Sequence, residues 1–372
     1  MTRASVLIIS YSPLYRDARV LRQIRLLTPH YDVTTVGYGQ APEGVVEHVR
    51  IPDEIIYWRK DRRLLLARAY QRTYDSMPVQ RWLRERLPVG EHDVVLADDA
   101  DTVPLALTLQ PRRGVHADLH EYASRQNEES LPWRLVVAPY YRWLIRTWVT
   151  RAASVTTVSP GLAAEYRREF GIEAGLVMNA PPLADLGPTA VGGSIRLVHA
   201  GNGVPERLET MLAAMDLVHS GATLDLYLID QGTGYVPSLR ERYAGSDRVR
   251  IHDPVPTDEI VATLNGYDVG VYVLPPISFN FRYALPNKFF DFVQARLGLV
   301  IGPSPDMAAL VREHHLGVVT PDFTAESFAD AIDALTPEQV AGMKAASHAA
   351  APVLCAGQQV SGWFEAVRKL LA

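Results

Sequence analysis

Cysteine is nearly absent from this sequence of 372 residues, which contains only Cys355. One cysteine cannot form an intrachain disulfide, so the class of disulfide-stabilised secreted domains is excluded and a reducing, cytoplasmic compartment is expected. No apolar run approaches the ~20 residues that a membrane-spanning helix requires. Residues 1–5 lead directly into a predicted strand, so we expect no secretory signal peptide.

Glycine-rich nucleotide-binding signatures are also missing. No predicted strand is followed by Gly-x-Gly-x-x-Gly. The turn at residues 230–234 supplies the first two glycines, Gly232 and Gly234, but Pro237 stands at the position of the third. This argues against a dinucleotide-dependent oxidoreductase, a class that would otherwise share a two-sheet α/β pattern. The sequence also has no repeat of fixed period and no low-complexity tract.

The composition is that of a globular protein, with 48% hydrophobic and 21% charged residues. The length predicts two domains of roughly 180 residues each. The net charge of −5 is unevenly distributed, because residues 1–190 contain 24 Lys/Arg and 22 Asp/Glu whereas the remainder contains 13 and 20. Residues 59–86 alone contain nine basic and three acidic residues.

Short β-branched runs alternate with helical periodicity, and this alternation predicts parallel sheets with crossover helices. A proline- and glycine-rich stretch, 180–194, is predicted to be the linker between two such sheets. We therefore expect two doubly wound α/β domains at about 1–180 and 190–355, facing across a cleft. Predicted strands are 6–10, 32–36, 93–97, 115–119, 154–158, 175–178, 195–200, 223–229, 248–252, 268–273 and 299–301. Predicted helices begin at Asp17 and span 133–151, 160–170, 206–219, 236–243, 257–265 and 287–297.

The loop and helix start at residues 279–293 are the most informative stretch. Pro286 suits the first turn of a helix, where its missing N–H costs nothing. Lys288 follows it, although a helix N-terminus carries a partial positive charge that repels a lysine. An anion would relieve the repulsion, and phosphate groups bind readily at such positions.

Six motifs occur in an order that resembles GT-B glycosyltransferases of the large retaining family often called family 4, or glycosyltransferase group 1. They are residues 17–20 followed by 32–34, 116–121, 157–159, 177–179, 200–207 and 285–291. The resemblance covers nearly the whole chain. It implies the GT-B architecture of two Rossmann-like domains, with the final helix, at 357–372, packing back on the first domain.

The family resemblance also implies an activity. It predicts a hexosyltransferase-like enzyme of carbohydrate biosynthesis that moves a sugar from a UDP- or GDP-linked donor to an acceptor hydroxyl with retention of anomeric configuration. The first domain would bind the acceptor, which could be a carbohydrate, a lipid-linked compound or a small molecule, and the second would bind the nucleotide sugar. The resemblance implies no metal ion, no other cofactor and no nucleic-acid partner.

Site residues follow from the same motifs. The catalytic residues would be His120, Arg207 and Lys288. Donor-binding residues would be Gly201, Asn202, Gly232, Tyr283, Asn287 and Asp291, and residues on the acceptor side would be Asp17, Asp118 and Glu121. The chain departs from the family at Asn202, where an arginine is usual, and at Tyr283, where the first of two glutamates is usual. These departures leave open a catalytically silent nucleotide-sugar binder or partner subunit, and a sugar-nucleotide epimerase is a third alternative.

Simpler roles compete for several of these residues. His120 and Asp118 would also suit a hydrogen-bonded pair without chemistry, Lys288 a solvated lysine, and Arg207 a surface ion pair. The acidic residues Asp98, Asp99 and Asp101 are predicted to cap a helix before Thr102 rather than to bind a metal. The aromatic stretch 133–148 is predicted to pack between the domains or in a core, with a wall of the acceptor site as the alternative. The basic segment 59–86 is predicted to be a solvated face with a buried stripe. The alternatives are an acidic acceptor and peripheral contact with an anionic membrane, at its inner face.

Overall fold

The computed structural model describes residues 3–372, and the chain divides into two compact units. The first contains the described residues through Met178 together with Ser278–Asn280 and Val360–Ala372. The second contains Asn179–Ile277 and Phe281–Gln359. Each unit has one parallel sheet with helices around it, which confirms the predicted α/β class.

The first sheet has seven parallel strands in the spatial order β3-β2-β1-β4-β5-β6-β7. In chain order they are β1 Ser5–Pro13, β2 Asp32–Tyr38, β3 Glu47–Ile51, β4 Val94–Asp98, β5 Gly114–Leu119, β6 Ser154–Thr157 and β7 Ala174–Leu176. The apolar side chains in the middle of β1 and β4 are fully buried, as expected of strands covered on both faces. The strand order reverses between β1 and β4, and a sheet of this kind binds ligands at that position.

The helices of the first unit begin with α1 Ala18–Leu27, which Asp17 caps by accepting hydrogen bonds from the N–H groups of Arg19 and Val20. The others are α2 Arg62–Leu66, α3 Tyr70–Ser76, α4 Pro78–Arg84, α5 Val103–Thr108, α6 Ala138–Thr147 and α7 Pro160–Phe170. The final helix of the chain, Ser361–Leu371, also belongs to this unit and buries Trp363 and Val367 against α1, β4, β5 and β6.

The second sheet has six parallel strands in the order β10-β9-β8-β11-β12-β13. They are β8 Arg196–Asn202, β9 Thr223–Ile229, β10 Val249–His252, β11 Val269–Tyr272, β12 Gly298–Ile301 and β13 Gly317–Val319. The strand order reverses between β8 and β11, which makes the carboxyl end of β8 the expected ligand site.

The helices from the second half of the chain complete the list. They are α8 Pro205–Leu217, α9 Tyr235–Arg242, α10 Ile260–Leu264, α11 Phe279–Arg282, α12 Asn287–Gln294, α13 Pro305–Glu313, α14 Ala325–Asp333, α15 Pro337–Ala350, α16 Ala356–Gln359 and the final α17 Ser361–Leu371. The stretch predicted as a linker is hydrogen-bonded to the second unit, for example from Ala184 N–H to the side chain of Gln294. Across residues 3–372, no helix combines the length and the apolar character needed to cross a bilayer.

The prediction of one continuous helix over 133–151 is wrong. A π-helical turn at Trp133–Val137 precedes α6, and a 3-10 turn at Val149–Arg151 follows it. Pro139 supplies the cause of the first break, because a proline has no N–H to continue the i to i−4 ladder. The N–H of Ala138 bonds instead to the carbonyl of Trp133, five residues back.

Candidate active site

A cavity of about 750 Å³ lies in the first unit where β1, β4 and β5 end. This is the position of the strand-order reversal, so the cavity occupies the expected ligand site of the sheet. Its walls carry aromatic, acidic and basic side chains. Among them are Tyr11, Tyr57, Trp58, Arg59, Lys60, Arg62, Asp98, Asp99, Asp101, His120, Glu121, Trp133 and Tyr141.

His120 lies among three carboxylates at the floor of this cavity. Its Nε2 is 3.4 Å from Oδ1 of Asp98 and 3.4 Å from Oδ2 of Asp118, and its Nδ1 is 3.5 Å from Oδ2 of Asp99. Its backbone N–H donates to Oδ1 of Asp99 at 3.0 Å. Asp99 reaches this position with a left-handed backbone, φ 64°, a conformation that aspartate tolerates better than most residues.

Asp118 is the most tightly held of the three carboxylates. The guanidinium of Arg19 donates two hydrogen bonds to it, both at 2.7 Å, and both side chains are buried. Gln23 Nε2 and Thr156 Oγ1 also donate to it, at 2.8 and 2.7 Å. On its other side, Arg19 lies 4.7 Å from the ring of the buried Trp363 in α17. The last helix of the chain therefore supports the arginine that holds Asp118.

His116, which the sequence analysis did not identify, extends this network along β5. Because Thr156 gives its proton to Asp118, its oxygen accepts from Nε2 of His116 at 3.0 Å. Nδ1 of His116 then accepts from Ser154 Oγ at 2.8 Å. Burial lowers the pKa of His116 to about 4, so this ring is neutral and serves as a fixed hydrogen-bonding bridge.

The electrostatics of the cluster favour a charged His120. Desolvation opposes the charged ring, but Asp99, Asp118 and Asp98 outweigh it, and the pKa of His120 is raised well above its usual value. Burial raises the pKa of Asp98 to about 7 despite the nearby His120. Burial also opposes ionisation of Asp118, but the charge of Arg19, its two hydrogen bonds and the neighbouring His120 hold the pKa of Asp118 well below the usual range.

Ligand atoms of Asp98, Asp118 and His120 lie within 4.8 Å of one another, a spacing that a metal ion would need. The donor set fits a metal poorly, because a guanidinium already binds both oxygens of Asp118 and would repel a cation. The helix-capping role predicted for the acidic cluster is wrong: α5 has no side-chain cap. Asp98 instead accepts from Gln23, Asp99 from His120, and Asp101 from the hydroxyl of Tyr141.

The three residues predicted on the acceptor side have different positions. Asp17 and Glu121 line the cavity, and Asp17 also caps α1. Asp118 is fully buried behind His120, so it orients the cluster and has no surface with which to touch an acceptor. The aromatic stretch 133–148 contributes to both the core and the cavity wall: Tyr140 and Tyr141 are buried, and Tyr141 and Trp133 line the cavity.

The second unit has its own polar site at the carboxyl end of β8. Gly201, near the end of that strand, has φ 155°, and a Cβ at this position would overlap Cε of Lys288. The glycine therefore makes room for the lysine, which sits in the first turn of α12. No side chain caps this helix start. The lysine and the N–H groups at the start of α12 together make this end of β8 electrostatically positive.

Arg207, in the first turn of α8, contributes a second positive charge. Desolvation and then the charge of Arg207 lower the pKa of Lys288 to about 8, against the opposing effect of Asp291. Neither cation forms an ion pair with any residue of the described range 3–372. The guanidinium of Arg207 lies instead 5.7 Å from the ring centre of Phe281.

His199, also missed by the sequence analysis, lies behind these cations. Its Nδ1 donates to the carbonyl of Val271 at 3.0 Å, and its ring stacks on Tyr272. Burial and then the charge of Lys288, with a smaller effect of Arg207, lower the pKa of His199 to about 3. The ring is therefore neutral and adds no third positive charge to the site.

The structure brings together two of the predicted catalytic residues and some of the predicted donor-binding residues. Gly201, Arg207, Lys288 and Asp291 are linked by contact or by electrostatic interaction. Asn202 ends β8, and Asn287 is exposed at the first position of α12. Gly232 lies in an exposed turn after β9, and Tyr283 lies 5.4 Å from the guanidinium of Arg282.

No protein-family model matches the sequence, and no curated protein sequence matches it. Solved structures do resemble its fold. Anabaena HepE in complex with UDP and glucose has a TM-score of 0.69 and 14% identity over 99% of this chain and 100% of that chain. Sucrose-phosphate synthase from Thermosynechococcus elongatus has a TM-score of 0.68 and 13% identity over 99% of each chain. A glycosyltransferase from Rickettsia africae has a TM-score of 0.69 and 11% identity over 100% and 99%. These similarities confirm the predicted fold class: the chain has the two Rossmann-like α/β domains of the GT-B fold.

Proposed function

We propose that this protein is a glycosyltransferase that moves a sugar from a nucleotide diphosphate sugar to an acceptor hydroxyl, with retention of anomeric configuration. The observation that carries the proposal is the pair Arg207 and Lys288, two cations without an ion-pair partner at the ligand-binding edge of the second sheet. The similar Anabaena structures contain UDP, UDP with glucose, and UDP-glucose, which supports a nucleotide-sugar donor.

The chemistry of the reaction matches the charge of this site. Cleavage of the sugar–phosphate bond leaves negative charge on the diphosphate, and catalysis needs fixed positive groups where that charge develops. Lys288, Arg207 and the N–H groups at the start of α12 would supply them. Asp291 would accept hydrogen bonds from the ribose hydroxyls, and Gly201, Asn202, Gly232, Tyr283 and Asn287 would line the donor pocket.

The cavity of the first unit would bind the acceptor. Its aromatic walls offer flat apolar surfaces for sugar rings, and Asp17 and Glu121 offer hydrogen-bond acceptors for hydroxyls. His120 would act as a charged hydrogen-bond donor to the reacting sugar or its acceptor, because its raised pKa keeps it protonated. The side chains of Arg207 and Lys288 and a helix N-terminus would supply the positive charge, so the reaction would proceed without a metal.

Calorimetric titration with UDP, GDP and their sugar conjugates tests donor binding directly. We expect tight binding of one diphosphate and loss of most of that affinity in Lys288→Ala and Arg207→Ala. Turnover with the identified donor should fall about 10²–10³-fold in either variant. Arg312→Ala, which removes an exposed arginine from the same unit, is the matched control and should behave as the unaltered protein.

Further measurements separate the alternatives. A protein that binds the donor but neither transfers nor hydrolyses it would be a silent binder. This outcome is tested because Asn202 and Tyr283 depart from the family pattern. Isomerisation of the donor without an acceptor would identify an epimerase. An inverted anomer in the product would reject retention, and loss of turnover on chelation of divalent ions would reject metal independence. Unchanged affinity in both basic variants would overturn the diphosphate site itself.

A further inference from the structure

The outer face of the first unit carries a surface, here called the rim surface, formed by residues 58–68 and 130–135. The first stretch contains α2 and the second enters the π-helical turn, and these two elements pack against each other. Four large apolar side chains on it are exposed: Trp58 by 63%, Leu66 by 67%, Leu131 by 55% and Leu135 by 64%. Apolar side chains grouped on neighbouring elements in this way mark an interaction surface rather than ordinary exposure.

The charge of the rim surface is strongly positive. Residues 58–68 contain five basic residues and one acidic residue, Asp61, whose carboxylate caps the start of α2. Arg62, Arg63 and Arg68 are exposed. In the second stretch Arg134 is exposed as well. Leucines and a tryptophan interleaved with arginines are typical of surfaces that insert into the headgroup region of an anionic bilayer.

The rim surface is continuous with the wall of the cavity. Trp58 and Arg62 line the cavity, as do Leu65 of α2 and Trp133 of the π-helical turn. Leu65 and Leu66 are adjacent on α2, one buried beside the cavity and the other exposed. A molecule held by the rim surface would therefore lie next to the cavity that contains His120.

We propose that the rim surface docks on an anionic membrane and that the acceptor presented to the cavity is lipid-linked. The charge complementarity and the exposed leucines select a bilayer over a folded protein partner, because a protein surface of this kind would need a matching acidic and apolar face. The identity of the acceptor rests on the proposed function, whereas membrane docking does not.

Vesicle flotation of the full-length protein tests the docking step. Vesicles of phosphatidylcholine alone are compared with an equal mixture of phosphatidylcholine and phosphatidylglycerol, at low and at high salt. We expect flotation with the anionic vesicles only, and weakening as the salt concentration rises, because screening shortens the reach of surface charge. Equal flotation with both vesicle types, or none with either, would overturn the proposal.

Variants locate the contact. Leu66→Glu with Leu135→Glu should reduce the vesicle partition coefficient at least tenfold, whereas Val46→Glu with Val89→Glu alters two equally exposed valines of the same unit and should leave it unchanged. Arg63→Glu with Arg134→Glu should reduce partition by at least about fivefold per position, against Arg113→Glu as control. Equal effects of test and control variants would place the contact elsewhere.

Nucleotide binding distinguishes failure of this proposal from failure of the proposed function. A protein that binds the diphosphate but no vesicle refutes membrane docking alone. A protein that binds anionic vesicles but no diphosphate refutes the transferase proposal and leaves docking intact. If docking holds, turnover with a lipid-linked acceptor in anionic vesicles should fall in the leucine variant, while hydrolysis of the donor, which does not use the rim surface, stays unchanged.

Discussion

The sites of the two units occupy equivalent positions, each at the carboxyl ends of parallel strands where the strand order reverses. They differ in their charges: opposite charges lie together in the first site, and two positive charges lie together in the second. In the first unit the charges at the strand ends are paired: Arg19 binds Asp118, and His120 lies among three carboxylates. In the second unit Arg207 and Lys288 face each other's positive charge, and desolvation and Arg207 lower the pKa of the lysine. The first site has a fixed geometry, and the second has positive charge that an anionic ligand would neutralise.

This difference shows that one fold can hold side chains in a fixed orientation at one site and keep charge available for a ligand at another. A buried, fully bonded ion pair is costly to disturb, so it fixes the groups attached to it. A cation held without a partner lowers the stability of the free protein and recovers that energy when an anion binds. The predictions below test each half of this contrast, from the largest expected effect to the smallest.

Replacement of Asp118 by alanine should produce the largest effect, on the stability of the first unit. It leaves the buried guanidinium of Arg19 without its partner, and breaking a buried pair in this way costs about 3–5 kcal/mol. Hydrogen exchange of peptides from β1, β4 and β5 measures this loss of stability in the first unit, and it does not require that the two units unfold together. Asp53→Ala, which breaks the exposed pair with Arg50, should leave exchange nearly unchanged. Similar protection in both variants would show that the pair has no fixing role.

Gly201→Ala should disable the second site, since a Cβ there overlaps the side chain of Lys288. Displacement of a catalytic group by about 1 Å can cost about 10²-fold in rate, and we expect a loss of that order in turnover and a weaker affinity for the diphosphate. Gly342→Ala, where a Cβ meets open space, is the control. In a Lys288→Ala background the same substitution should have little further effect; additive losses would mean that Gly201 acts independently of the lysine.

Diphosphate affinity should depend on pH through Lys288. Its pKa of about 8 in the free protein means that the amine loses its proton as the pH rises past 8, and binding must then take up a proton. Affinity should fall by at most about tenfold per pH unit above that value. Lys288→Arg keeps its charge and should bind with no such fall, although with altered geometry. Calorimetry between pH 6.5 and 9.5 provides the comparison, and a pH-independent affinity in the unaltered protein would contradict it.

The smallest expected effect is the pH dependence of stability in the first unit. Because the folded pKa of His120 is raised, the protonated ring stabilises the fold fully below its unfolded pKa of about 6.5, and this contribution is lost as the pH rises through the folded value. The raised pKa of Asp98 acts in the same direction at lower pH. Exchange of β5 peptides should therefore accelerate at alkaline pH beyond its intrinsic rate. His120→Gln should weaken this dependence, and an unchanged slope would exclude the histidine as its source.

The sequence supports prediction of the fold far better than of the site. An apolar run such as the centre of β1 consists of consecutive residues, so it can be recognised in the sequence without knowledge of the fold. Most strands were predicted from such runs. The edge strands β3 and β13 were missed because they are short and only partly buried, so they lack the apolar run that marks a central strand. Pro139 was visible in the sequence, but whether a proline ends, kinks or merely perturbs a helix depends on its surroundings.

Long-range partners explain what could not be predicted at the sites. Arg19 and Gln23 belong to α1, where polar residues are usually exposed, and only the fold brings them to Asp118. His116 begins the motif at 116–121 and His199 directly precedes the one at 200–207, but neither has a local feature that distinguishes it from an ordinary core residue. Lys288 was predicted because its conflict with a helix N-terminus is local. A local conflict can be recognised in one sequence, whereas a partnership between distant residues requires coordinates.

The return of α17 to the first unit has a consequence for how the protein is made. Translation delivers residues at about 5–20 per second, so Trp363 emerges only after every residue of the second unit. Until then the guanidinium of Arg19 lacks the ring against which it packs, and the apolar groove for Val367 stays open to solvent. The first unit is thus completed only after the second has been synthesised, and its apolar groove stays exposed on the nascent chain until α17 packs into it.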